Sequence, residues 1–429
     1  MLFRSDIVGR VALDAHEKRK LSFLARQLVD AMSPANFAWS NPEALKLAHE
    51  TDGASLRQGL HNLASDIEKG MVSMTDDAAF EIGRNLAITP GAVIFENEYM
   101  QLLQYRPTTD TVFERPLVMV PPCINKYYIL DIAPDKSLIR YLVHQGFTVF
   151  VTSWKNPGSD LRHVKMDDYL TQGALKIVSV ARDICGTDAV HAVGYCIGGT
   201  LLSMLQAWLA RDNTSPLPVA HWTLLTTLVD FSSPGDIDAF ITADSIEWLE
   251  QRMQENGYLD GKDMGTTFRW LRANSLIWRY VMHNYLYGET PPPMDVLQWN
   301  VDCTRLPQAT HSFYLREFYL NNHLIVPDAL TVAGRPIDLG LIEAPLYAVG
   351  TEQDHISPWR ETFKIAHHVS APVRYTLASS GHILGILSPP VKPPKRYYWS
   401  GAVTPEQDPD PWQQAQERLP GSWWDDWCN

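Results

Sequence analysis

Cysteine is scarce in this chain. Its five residues, at 123, 185, 196, 303 and 428, are too few and too scattered for a disulfide framework or a cysteine-built zinc site. That usage predicts a reducing compartment, the cytosol. Long apolar runs are missing as well: no stretch reaches the roughly 18 apolar residues that a membrane-crossing helix requires. Arg4, Asp6 and Arg10 break up the N-terminal segment, so no signal-peptide core is expected there. Positive charge is in deficit, 36 Lys and Arg against 49 Asp and Glu, for a net charge of −13. Such a balance argues against nucleic-acid binding by phosphate neutralisation. There is no internal repeat and no low-complexity tract; the proline-rich stretch from Pro389 to Pro394 reads as a surface connection. What the chain does have is apolar residues, 45% over a length of 429, enough to bury a large core, and 14 tryptophans.

Within that apolar background, Gly194-Tyr195-Cys196-Ile197-Gly198-Gly199-Thr200 has the Gly-x-nucleophile-x-Gly form of a nucleophile elbow, with a thiol in the nucleophile's place. The run Ala189 to Val193 reads as a strand, and Leu201, Leu202, Leu205, Trp208 and Leu209 recur at helical spacing. Cys196 therefore falls at a strand-to-helix turn, where glycines 194 and 198 lack the Cβ that would clash. The helix start turns amides and the positive end of its dipole toward the sulfur, which favours thiolate. Alone, the motif is more often a buried, inert cysteine in a tight turn.

An α/β-hydrolase places acid and histidine after the nucleophile in that order, each on a loop following a strand. Pro345 to Gly350 reads as a buried strand leading into Thr351-Glu352-Gln353-Asp354-His355. Val373 to Leu377 reads as another, leading into Ser379-Ser380-Gly381-His382. Asp354 and His382 are the expected partners of Cys196. Asp230, which follows the apolar run Leu224 to Val229, is a competing acid, and His355 could orient substrate, line a pocket or be simply solvated. The oxyanion donors expected for this fold are the amide of Ile197 and an amide in the loop after the strand Leu117 to Val120. In that loop Pro121 and Pro122 cannot donate, which leaves Cys123 and Ile124, with no choice between them.

The fold class expected is α/β: an α/β-hydrolase fold with a cap insertion and a partial helical N-terminal region. Lys20 to Met32 and Ser55 to Met71 carry apolar residues at spacings of three and four, so residues 1–94 read as the helical region. Residues 95–429 read as the catalytic domain, with Phe147 to Val151 as a further strand. Between about 231 and 344 the alternation gives way to aromatic-rich segments such as Ile277-Trp278-Arg279-Tyr280 and Ser312-Phe313-Tyr314-Leu315, which read as a cap over the site.

The chain resembles the polyhydroxyalkanoate synthases. The motifs that carry the resemblance run from Ser33-Pro34-Ala35-Asn36-Phe37, Thr89-Pro90-Gly91, Val120-Pro121-Pro122-Cys123-Ile124-Asn125-Lys126 and Ser153-Trp154-Lys155-Asn156-Pro157 through the elbow. They continue with Leu297-Gln298-Trp299-Asn300-Val301-Asp302, Glu352-Gln353-Asp354-His355, Gly381-His382-Ile383 and Gly421-Ser422-Trp423-Trp424. The form of the elbow is most similar to the class I enzymes, which polymerise short 3-hydroxyacyl-CoA thioesters. The resemblance implies that Cys196 carries the acyl chain, that His382 is its base, and that Asp354 is the acid partner, acting on the incoming hydroxyl directly or through His382. It implies 3-hydroxyacyl-CoA and the growing polyester as partners, no cofactor beyond the CoA released from substrate, a homodimer, granule-associated proteins as further partners, and a cytoplasmic location at the surface of polyester granules. Family members carry a longer N-terminal region, which makes the chain look like a fragment. Trp423, Trp424 and Trp427 are the tryptophans expected to meet a granule or a partner chain. A thioesterase or esterase of the same fold, or a non-catalytic granule protein, are the alternatives.

Overall fold

The computed structural model describes residues 12–212 and 217–429; Arg4, Asp6 and Arg10 lie outside them. The chain forms two compact units. One comprises residues up to Leu86 together with Asp236–Phe240 and Lys262–Asp302; the other comprises Ala87–Gly235, Ile241–Gly261 and Cys303–Asn429.

Among the described residues, the second unit is built on ten strands in one sheet: β1 Gly91–Glu96, β2 Met100–Tyr105, β3 Leu117–Val120, β4 Val149–Trp154, β5 Val190–Tyr195, β6 Val219–Leu225, β7 Leu346–Thr351, β8 Val373–Ala378, β9 Tyr397–Val403 and β10 Leu419–Pro420. Their order across the sheet is β1-β2-β4-β3-β5-β6-β7-β8-β9-β10. Strands from β4 through β3, β5, β6 and β7 to β8 pair in parallel, and the pairs at either margin are antiparallel. The parallel strands read as nearly unbroken apolar runs, such as Leu117-Val118-Met119-Val120, because helices cover both faces of such a sheet. Parallel pairing also sends each chain crossover to the same end, so the loops after β3, β5, β6, β7 and β8 leave the sheet together at its carboxyl end. The helix Ile197–Ala210 is apolar nearly all round and almost wholly buried, as a helix enclosed on every side must be.

The first unit is helical. Helices Ala15–Ala31, Pro42–Glu50 and Ala54–Lys69 pack with the Lys262–Asp302 segment. Phe23, Ala239 and Leu271 form a small buried cluster, and Arg19 and Arg26 reach Asp238 and Asp236 at 2.7 and 2.6 Å. The closest backbone approach is at Gly59, where a Cβ would fall 1.9 Å from the Tyr285 carbonyl oxygen. The stretch from 231 to 344 thus divides: part completes the helical unit, and the remainder, including Tyr314–Leu320, belongs to the unit with the sheet. Among the described residues no helix is long and apolar enough to cross a membrane.

Candidate active site

Cys196 stands between β5 and the helix Ile197–Ala210 with φ 53° and ψ −124°, a conformation that a residue with a Cβ adopts only under constraint. The constraint is visible. A Cβ at Gly194 would lie 2.4 Å from the Gly199 Cα, and one at Gly198 would lie 2.1 Å from the Val120 carbonyl oxygen. The Cys196 amide donates to the Leu225 carbonyl at 2.9 Å, and its own carbonyl accepts from Gly199 and Thr200 at 2.8 and 3.2 Å. The backbone is pinned while the residue stays half-buried and reachable.

His382 sits in the turn after β8, and its Nδ1 lies 2.7 Å from Oδ2 of Asp354, in the loop after β7. The carboxylate is shut from solvent, so its lone pairs need partners within the protein. Oδ1 accepts from the Ile356 and Ser357 amides, both at 2.9 Å, and Oδ2 also accepts from Thr351 Oγ1 at 3.2 Å. With Nδ1 committed to Asp354, the other ring nitrogen is the one that meets the Cys196 thiol. Burial pushes the His382 imidazolium down; the Asp354 charge and the Cys196 sulfur outweigh it and hold the group up at about 10. Tyr195 stacks on the imidazole at 5.7 Å between centroids and donates its hydroxyl to the His382 carbonyl at 3.3 Å.

Asp230 faces elsewhere. Its Oδ1 accepts from the Ser232 amide and from Asn322 Nδ2 at 2.8 and 2.9 Å, and its Oδ2 lies 3.5 Å from Lys364 Nζ and 3.6 Å from His368 Nε2. Burial favours its neutral form, but those donors win and hold the carboxyl well below the usual carboxylate range. The carboxylate bonded to His382 is therefore that of Asp354. His355 is half-buried in the turn between Asp354 and Ser357, with its backbone carbonyl against Gly235.

The Pro121–Ile124 loop reaches the elbow: the Val120 and Pro121 carbonyls press on Gly198, and Trp154 Nε1 donates to the Pro121 carbonyl at 2.8 Å. Ile197 opens its helix, so its amide has no acceptor within that helix. Cys123 is buried, and that burial pushes its thiol up to about 12. Ile124 is half-buried, and its carbonyl accepts from the Thr304 amide at 3.2 Å.

Two residues near the sulfur went unrecognised in the sequence. Tyr314 and Tyr319, on the π-helical segment Tyr314–Leu320, are raised above the ordinary tyrosine value, first by burial and also by the charge of Cys196. They pack at 5.5 Å between centroids, and Phe231 joins them at 6.0 and 4.8 Å. The only signal was the aromatic richness of Ser312 to Leu315. Two of the tryptophans expected at a surface are a correction: Trp423 and Trp424 are 0% and 1% exposed, while Trp427 is half-buried and donates its Nε1 to Thr223 Oγ1 on β6 at 2.9 Å. Each indole N–H has an acceptor inside the protein, which removes the cost of burying it.

Fold and site together define an α/β-hydrolase, and residues 116–389 match the family described as alpha/beta hydrolase fold. Residues 3–142 match the family described as the N-terminus of poly-beta-hydroxybutyrate polymerase (PhaC). The chain is 45% identical over 428 residues to the poly(3-hydroxyalkanoate) polymerase subunit PhaC of Cupriavidus necator, covering 99% of this chain and 72% of that one. It is 42% identical to the poly(3-hydroxyalkanoate) polymerase of Methylorubrum extorquens, over 97% of this chain and 69% of that one. Against poly(3-hydroxyalkanoate) polymerase 1 of Ectopseudomonas oleovorans the identity is 37%, over 98% and 75%. The chain belongs to the poly(3-hydroxyalkanoate) polymerase family and is an acyltransferase.

Proposed function

We propose that this chain polymerises (R)-3-hydroxyacyl-CoA, with 3-hydroxybutyryl-CoA as its short-chain substrate, into polyhydroxyalkanoate with release of CoA, through an acyl thioester on Cys196. The observation that carries the reading is the 2.7 Å bond from His382 to a fully enclosed Asp354, which leaves the other ring nitrogen for the Cys196 thiol. His382 takes the proton from Sγ, and the thiolate attacks the thioester carbonyl of the substrate. The tetrahedral oxyanion is met by the Ile197 amide and by an amide of Cys123 or Ile124. As the carbon–sulfur bond to CoA breaks, CoA leaves as the thiol with the proton from His382. Exchange of one thioester for another conserves reactivity in the bound acyl group. The 3-hydroxyl of the next unit then loses its proton to His382 and attacks that carbonyl, forming the ester bond and returning Cys196 as the thiol. Asp354 holds the imidazole in the tautomer that both steps require. No resident cofactor is needed.

The reading extends to a cytoplasmic homodimer working at the surface of polyester granules. Support for an apolar contact comes from the helix Ala15–Ala31, where Leu24, Leu28 and Met32 beyond its end are 52, 65 and 64% exposed. The first test is CoA release from 3-hydroxybutyryl-CoA by the purified chain beside Cys196→Ala, with the product extracted into chloroform. Cys196-dependent release with polymer is expected. Release with free 3-hydroxy acid would instead make the chain a thioesterase, and release unaffected by Cys196→Ala would remove the covalent step.

A further inference from the structure

The turn that carries His382 is short of partners for its own backbone. From Gly381 the chain winds through irregular turns in which Gly385, Ile386 and Leu387 donate back to Gly381 and Ile383. Ile386, Leu387 and Ser388 are buried, so carbonyls left over at the end of this winding cannot turn to water. The Ile386 carbonyl accepts from the Ser388 amide at 2.9 Å, and the further donors come from one place. Trp423 Nε1 donates to the Gly385 carbonyl at 2.9 Å, Trp424 Nε1 to the Ile386 carbonyl at 2.9 Å, and Ser422 Oγ to the Ser388 carbonyl. Ser422 also accepts from the Trp424 amide at 3.0 Å, which fixes the start of the helix Trp423–Cys428. The helix is tied to the sheet independently, by Trp427 on Thr223 and by Asp426 on Arg374 Nη2 and Tyr347 at 2.8 and 2.7 Å.

We propose that Ser422, Trp423 and Trp424 are positioning residues for His382: their donors hold the Gly385–Ser388 carbonyls and thereby set where the imidazole stands between Asp354 and Cys196. This rests on the reading of His382 as the base. Cys196 follows the end of β5 directly and Asp354 is held in the loop after β7 by the Ile356 and Ser357 amides, while His382 lies beyond the end of β8 in irregular backbone. The Ser380 carbonyl, which accepts from the Gln353 amide at 2.8 Å, anchors the turn on the near side of His382. The three C-terminal donors anchor it on the far side. Without them the imidazole keeps its chemistry and loses its place.

The test compares Trp423→Phe and Trp424→Phe, which keep a ring and remove the N–H, with Trp427→Phe, the same change on the same helix aimed at β6. The readouts are kcat and KM for 3-hydroxybutyryl-CoA, and the pH dependence of Cys196 alkylation by iodoacetamide, followed on its own peptide by mass spectrometry. Trp423→Phe and Trp424→Phe are expected to lower kcat about tenfold or more with KM little changed. They should also move the alkylation profile in the direction in which His382→Gln moves it. Trp427→Phe should do neither. Equal effects from all three variants would make the helix merely structural and overturn the proposal. So would an unmoved profile in Trp423→Phe and Trp424→Phe when His382→Gln moves it. If His382→Gln itself leaves the profile in place, the base assignment falls and the positioning role with it.

Discussion

Two loops at the carboxyl end of the sheet each present a buried aspartate after an apolar strand, and they do different things. Asp230, after β6, is ringed by donors: Asn322, the Ser232 amide, Lys364 and His368. Asp354, after β7, spends Oδ1 on two backbone amides and turns Oδ2 to His382. Residue type, burial and topological place are shared, so none of them makes an aspartate the acid of a triad. What decides is the group across from it. A lysine and a histidine hold the Asp230 carboxylate, while the Asp354 carboxylate holds the imidazole that the proposed function makes the base.

The sharpest way to break this contrast is to neutralise each carboxylate in turn. Asp354→Asn keeps the shape and removes the acceptor that fixes the His382 tautomer, so kcat should fall by about a hundredfold to ten-thousandfold. Circular dichroism should remain that of the wild type. Asp230→Asn should leave most of the turnover and instead cost about 1–3 kcal/mol of stability in a denaturant melt, because Lys364 and His368 lose their partner. A larger loss of turnover from Asp230→Asn than from Asp354→Asn would reverse the assignment.

This contrast also measures what the sequence could tell. The elbow was legible because glycine, nucleophile and glycine at fixed spacing describe one local turn, and β5, β7 and β8 were legible as short apolar runs. Asp354 was preferred to Asp230 at that level on its place after a strand and before His382 alone; the groups that occupy Asp230, namely Lys364, His368 and Asn322, lie far along the chain from it. Tyr314 and Tyr319 escaped for the same reason: they stand more than a hundred residues from Cys196. Trp423 and Trp424 were misread because the acceptors that let an indole N–H go inward, the Gly385 and Ile386 carbonyls, belong to irregular backbone with no sequence signature. The helical insertion was visible as a break in the strand and helix alternation, but its division between two units rests on contacts such as Gly59 with Tyr285.

The packing of Trp424 gives the next prediction. Its ring lies 5.2 Å from that of Tyr141 and is fully enclosed, so Trp424→Ala leaves a cavity and leaves the Ile386 carbonyl with the Ser388 amide alone. A loss of about 3–5 kcal/mol is expected in the same melt. Leu28→Ala, on an exposed position of the helix Ala15–Ala31, should stay within about 0.5 kcal/mol. Similar losses at the two positions would mean that Leu28 is covered in solution.

The smallest effects are in pH, and they separate the two aspartates once more. The Asp230 carboxyl is held below its ordinary value, so the unfolded chain binds more protons in acid. Its contribution to stability is present above the unfolded value near 3.8 and is lost as the pH falls below it. His382 is held up from 6.5 to about 10, so the folded chain binds more protons in alkali. The stability it shares with Asp354 is full below pH 6.5 and is lost as the pH rises toward 10. Denaturant melts of the wild type should therefore weaken at both ends of the pH range. Asp230→Asn should flatten the acid limb and leave the alkaline one, and Asp354→Asn should flatten the alkaline limb and leave the acid one. If either variant flattened both limbs, the two carboxylates would be coupled through the protein, and the separation of a structural aspartate from a catalytic one would fail.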